Sequence, residues 1–279
     1  MARRWTVITA SGLLAASVAA AIGRADGLPV LGVDVGAVGV VSPADDSRYV
    51  TLPAGRATVL ARVRADGGQV LGSRLLRGRL TVPAVAYDGS ADGLSADGRT
   101  LVLIEPRTGF PRARTTLAVI DARTLTPRGL IRLRGDFSFD AISPRGSLLY
   151  LIQYISPHDP NRYLVRAYDL GSGRLLPRAV VDPREPEEQM HGRPLTRASG
   201  PNGRWAYTLY DGAGKTPFLH ALDTSSRSAR CIDLAGLART DLSRVRLAVD
   251  AKARHVTVRR GHERLFVVDT RNFHVSAVR

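Results

Sequence analysis

The chain has 279 residues, 44% of them hydrophobic and 6% aromatic, with a formal charge of +15 and a single cysteine. That apolar content excludes a disordered chain, and one cysteine excludes a scaffold held by internal disulfides. The basic excess is almost all arginine, with Lys215 and Lys252 the only lysines. It is scattered along the sequence, a bias that genomic base composition can also produce, so on its own it is slender evidence for a polyanionic partner. With aromatics sparse, nucleic-acid binding is not expected.

At the amino terminus Arg3 and Arg4 precede an uncharged, Ala-rich stretch from Trp5 to Ile22, with small residues towards its end at Ala19-Ala20-Ala21 and just beyond it at Gly23-Arg24-Ala25. Residues 1–25 read as an export signal, cleaved after Ala21 or Ala25, and the mature protein is expected outside the cytoplasm. Left uncleaved, Trp5 to Ile22 is just long enough to anchor the chain in a bilayer. The paired arginines match a twin-arginine signal only loosely, because Trp5-Thr6-Val7 does not continue it.

From Leu28 onward two turn signals alternate. The first is a Ser-Pro-Asp-Gly-like turn at Ser42, Ser95, Ser143, Gly200 and, degenerate, Asp250-Ala251-Lys252-Ala253; successive copies lie 53, 48, 57 and 50 residues apart. The second closes an apolar run at Asp66, Asp121, Asp169, Asp223 and Asp269, spaced 55, 48, 54 and 46. A period near 50 with short β-rich runs between the turns predicts one repeat domain over residues 28–279, an all-β propeller of five four-stranded blades. In the second repeat the strands are Leu101 to Ile104, Thr116 to Ile120 and Leu130 to Leu133, and Phe137 to Ile142 opens the next. Leu28 to Val33 is available as an extra latching strand.

If the strands of a repeat are A to D, the Ser-Pro-type turn joins A to B and the Asp-type turn joins C to D. Both then fall on one face. The long segments Glu105 to Arg114, Tyr154 to Arg162, Val181 to Arg193 and Tyr210 to Thr216 fall on the other, which is the expected functional face.

Gly93 to Leu101, Arg134 to Pro144 and Arg204 to Gly212 resemble exported bacterial propellers of the YVTN and WD-repeat-like kind, in particular an actinobacterial secreted group without assigned activity. The resemblance implies fold and export, and transfers no catalytic residue.

Candidate ligand contacts centre on Val181 to Arg193, which concentrates four carboxylates, His191 and two arginines on the long-loop face. Glu187, His191, Arg193, the nearby Arg197 and Tyr210 are the expected ligand-binding residues, for a protein or a cell-envelope polymer. A surface loop with internal ion pairs is the plainer reading of the same segment. Asp34, Asp136, Asp140 and Glu187 are the carboxylates that a propeller hydrolase, of glycoside hydrolase or lactonase type, would have to gather near the axis; Asp136 and Asp140 also read as strand-terminating residues. Trp205, Tyr207 and Tyr210 either stack on a sugar or pack between blades.

The six histidines show no paired ligand spacing, so neither a metal nor a cofactor is expected. His220 and His255 sit in strand-like runs as structural imidazoles. Cys231, at an alternating position, is expected to be a small buried residue. The reading at this level is an exported, monomeric, non-catalytic binding scaffold, with the hydrolase as the alternative.

Overall fold

The computed structural model describes residues 39–66, 68–187 and 190–278. The export segment, the Leu28 to Val33 latch and Asp34 lie outside the described residues.

The described chain is a succession of antiparallel sheets, each wound in sequence order. The first holds β1 (Val40–Val41), β2 (Ser47–Ala54), β3 (Ala57–Arg64) and β4 (Val70–Arg77). The second holds β5 (Thr100–Ile104), β6 (Arg114–Asp121) and β7 (Thr126–Arg134). In the third, β8 (Phe137–Ile142), β9 (Leu148–Tyr154), β10 (Arg162–Asp169) and β11 (Arg174–Val180) are joined by β12 (Met190–His191), which pairs with β10. The fourth holds β13 (Pro194–Ser199), β14 (Trp205–Tyr210), β15 (Phe218–Asp223) and β16 (Ser228–Asp233). The last holds β17 (Val245–Val249), β18 (His255–Arg260), β19 (Glu263–Asp269) and β20 (Val275–Ala277).

Every turn signal falls where the repeat predicts. At the Asp-type turns the carboxylate accepts backbone N–H groups two and three residues on: Asp121 from Arg123 and Thr124, Asp169 from Gly171 and Ser172, Asp223 from Ser225 and Ser226. A short side-chain acceptor thus closes these three C–D connections locally. At the A–B turns Gly98, Gly146 and Gly203 take φ near +70° and donate back to residues 95, 143 and 200. The degenerate fifth copy keeps this geometry without glycine. Ala253, at φ +53°, donates to the Asp250 carbonyl at 2.8 Å.

Adjacent sheets share cores because their middle strands bury both faces. In β5, Leu101 and Leu103 pack with Tyr49, Leu60 and Leu76 of the first sheet, whereas Val102 and Ile104 pack with Phe139 and Leu151 of the third. Tyr150 and Val165 meet Ala206 and Leu222 between the third and fourth sheets, and Tyr207 and Leu219 meet Val256 and Val258 between the fourth and fifth. Alternation with period two therefore serves two interfaces at once, each buried Leu or Val contributing about 1.5–3 kcal/mol. Trp205 stacks on Tyr207 and meets the edge of Phe273, the interblade packing role.

One element departs from the expected repeat. The first strand of the second sheet is only a pair of contacts, Thr81 to Ile104 and Leu94 to Leu101, because residues 82–92 leave the sheet as a small hairpin closed by the Ala84–Ala91 bridge. Its tip reaches the fourth sheet, where the Tyr87 and Asp88 N–H groups donate to the Pro194 and Leu195 carbonyls at 2.9 and 3.1 Å. This axial hairpin lies between two openings.

Candidate functional site

The expected contacts do not assemble into one site. Glu187 is exposed, and the base of its loop is drawn down onto β16 by Asp182. That buried carboxylate accepts from the Arg184 N–H and guanidinium, Arg230 and the Cys231 N–H. Burial opposes its ionisation, but these donors hold it well below the usual carboxylate range. His191 is half-buried on β12 with its ring 5.5 Å from Phe218. Tyr210 is fully buried, stacked on Phe218 at 5.2 Å, and belongs to the core rather than to a ligand surface. Cys231 is half-buried, not the enclosed residue its position predicted.

Arg193 and Arg197 lie on opposite sides of the axial hairpin. On the long-loop side Arg193 meets Asp211 through its backbone N–H and Nε, at 2.8 and 2.7 Å. Both residues line a cleft of about 670 Å³ with Tyr87, Asp88, Asp241 and Arg246. Arg246 sits 3.6 Å from Asp88.

On the short-turn side a second cavity of about 470 Å³ has apolar walls that include Val40, Leu94, Ile142 and Ala206, with Asp92 and Arg197 as its charged groups. Arg197 is buried and bonds both the Asp140 carboxylate and its carbonyl; Asp92 lies 3.9 Å away. Burial pushes the Asp92 carboxyl up to about 6, against the pull of Arg197 and of the Gly93 N–H, while Asp140 adds repulsion. His220, buried in β15, is pushed down to about 4, chiefly by burial.

Asp136 is occupied as well. The buried Arg107 approaches it to 2.6 Å and Arg112 to 3.2 Å, and the Arg107 guanidinium stacks over Tyr154 at 4.8 Å. Asp136 and Asp140 are thus counterions of interior arginines. Among the described residues no three His, Cys, Asp or Glu side chains are grouped to hold a metal.

Sequence reasoning named Arg193 and Arg197 but missed Asp92, Tyr87, Asp88 and Arg246. The signal for the first three was the 28 residues between Asp66 and Ser95, long enough for an insertion with an Asp88-Gly89 turn. Nothing local marks Arg246.

No protein-family model matches the chain, and no curated protein matches it. Among solved structures it is similar to a functionally unknown protein from Desulfotomaculum acetoxidans, at 13% identity and a TM-score of 0.52 over 91% of this chain and 73% of that one. It is also similar to an oligogalacturonate lyase in complex with manganese, at 13% identity and 0.50 over 86% and 63%. The beta-propeller domain of Cps50 (Swd1) from Myceliophteria thermophila follows at 12% and 0.42 over 73% and 57%. The chain spans less than two thirds of the lyase and Cps50 chains. These likenesses concern the fold, all-β and of propeller type, and assign no activity.

Proposed function

We propose that the chain is an exported, non-catalytic binding scaffold, a monomeric ring of five blades akin to the exported actinobacterial propellers, that holds a protein or cell-envelope polymer at its long-loop face. The observation that carries this reading is the state of the carboxylates. Asp136, Asp140 and Asp182 are each engaged by arginine within the protein, whereas glycoside hydrolysis needs two carboxyl groups facing one substrate bond. The cleft beside the axial hairpin instead offers partly exposed Arg193 and Arg246 together with Asp88 and Asp241, a mixed-charge surface suited to ion-pair recognition. Arg193→Ala combined with Arg246→Ala is expected to lower retention on cell-envelope material at least tenfold, with Glu187→Ala unchanged. Full retention by the double variant rejects the cleft.

One observation favours the hydrolase instead. Burial pushes the Asp92 carboxyl up to about 6 beside a cavity, in the range a general acid or base needs. Release of reducing sugar from a polysaccharide panel, abolished by Asp92→Asn, would establish that reading in place of the scaffold.

A further inference from the structure

The outer strands of the first three sheets carry part of the charge excess in a form the sequence does not reveal. β4, β7 and β11 comprise 8, 9 and 7 residues and contain seven arginines and no acid. All seven are exposed. Arg128 is paired with Asp121. The other six, Arg74, Arg77, Arg132, Arg134, Arg174 and Arg178, have no hydrogen-bond or ion-pair partner among the described residues. They contrast with the interior Arg107, Arg112 and Arg197, each of which is matched to a carboxylate.

Blunting sheet edges with charge is a common device against edge-to-edge pairing. It does not explain this distribution, because the outer strands of the last two sheets are not treated alike. β16 has one arginine, Arg230, paired with Asp182, and an acid of its own in Asp233; β20 has no charged residue. The unpaired cations form a sector spanning three successive blades, and they accompany exposed Val70, Leu75 and Leu130 rather than replacing them.

We infer that this rim sector is a binding surface for a flexible, phosphate-bearing anionic polymer. Arginine is the side chain best fitted to phosphate oxygens, which it meets in a two-pronged fashion and with weaker hydration than lysine. Flexibility follows from shape. The outer strands of fanned sheets make a convex edge, so a chain must bend round it to reach all three strands. Duplex DNA, with a persistence length of about 150 base pairs, does not bend on the scale of one small domain without large cost. A flat bilayer is tangent to the edge and meets about one strand. The inference is independent of the long-loop cleft, which none of the six arginines lines.

The test is binding of the purified full chain to inorganic polyphosphate between 50 and 200 mM salt. Six contacts to a single-chain polyanion predict a slope of log K against log salt of about −4, hence a loss of about 300-fold over that range. Arg74→Gln, Arg77→Gln, Arg132→Gln and Arg134→Gln together should bring the slope to about −1.5. A control removing the same charge from the last sheet and the turns flanking its first strand, Arg244→Gln, Arg254→Gln, Arg259→Gln and Arg264→Gln, should leave it near −4. Equal effects of the two variants would reduce the binding to net charge and overturn the rim. Tighter binding to duplex DNA or to anionic vesicles of matched charge would overturn the flexible polymer, and equal binding to hyaluronate would overturn phosphate. All the variants are at exposed positions, and circular dichroism verifies that they fold.

Discussion

Replacing Asp92 by asparagine tests the electrostatics of the axis directly. The asparagine oxygen can still accept from the Gly93 N–H, so the substitution removes charge and little else. A carboxyl moved from 3.8 to about 6 in the native state binds its proton more tightly there than in the unfolded chain. Its ionisation therefore costs native stability about 3 kcal/mol, fully felt above pH 6 and absent below pH 4. Asp92→Asn should accordingly stabilise by about 2–3 kcal/mol at pH 7 and by nearly nothing at pH 4. His220 has the opposite sign: its pKa, lowered to about 4, gives stability that is present above pH 6.5 and lost by about 3 kcal/mol as pH falls towards 4. In the wild type the two slopes largely cancel between pH 4 and 6; in Asp92→Asn the histidine slope stands alone. Urea unfolding followed by tryptophan fluorescence, with Trp205 as the reporter packed against Phe273, measures both. A gain from Asp92→Asn that is the same at pH 4 and 7, or none at pH 7, refutes the burial of this carboxylate as argued.

The companion variant His220→Leu should remove the acid-side loss, so that stability rises as pH falls from 6 to 4; an unchanged profile would show that the imidazole is not excluded from water. Arg107→Met, which leaves Asp136 buried with only Arg112, is expected to cost about 3–5 kcal/mol, and adding Asp136→Asn should recover most of it in the same unfolding assay. Ala253→Gly relieves a left-handed backbone in an A–B turn that lacks glycine, and a gain of about 0.5–1 kcal/mol should appear as a higher melting temperature. Loss of stability there would mean that the turn is unstrained with alanine.

The axial hairpin gives the two openings different characters. Its tip joins β13 near Arg193, and its return arm carries Asp92 to Arg197, so a single insertion contributes to the cleft on one side and the cavity on the other. The interior arginines and the rim arginines also divide the charge between two tasks, counterion within and exposed cation outside. Composition alone reports only their sum.

Strand order and turn placement were legible in the sequence because they are local. An aspartate that closes its own turn, a glycine at positive φ, and alternation with period two act over a few residues, and the repeat restates them until the register is unmistakable. What lay beyond reach depends on partners far apart in the chain. Asp140 and Arg197 are separated by 57 residues, and no spacing rule selects that pair over any other acid and arginine. The same holds for Arg246 beside Asp88, for Tyr210 facing the core rather than a ligand, and for six arginines of three repeats brought onto one edge. Those pairings are decided when sheets pack and desolvate particular charges, a step whose outcome depends on the whole interior and not on any segment of it.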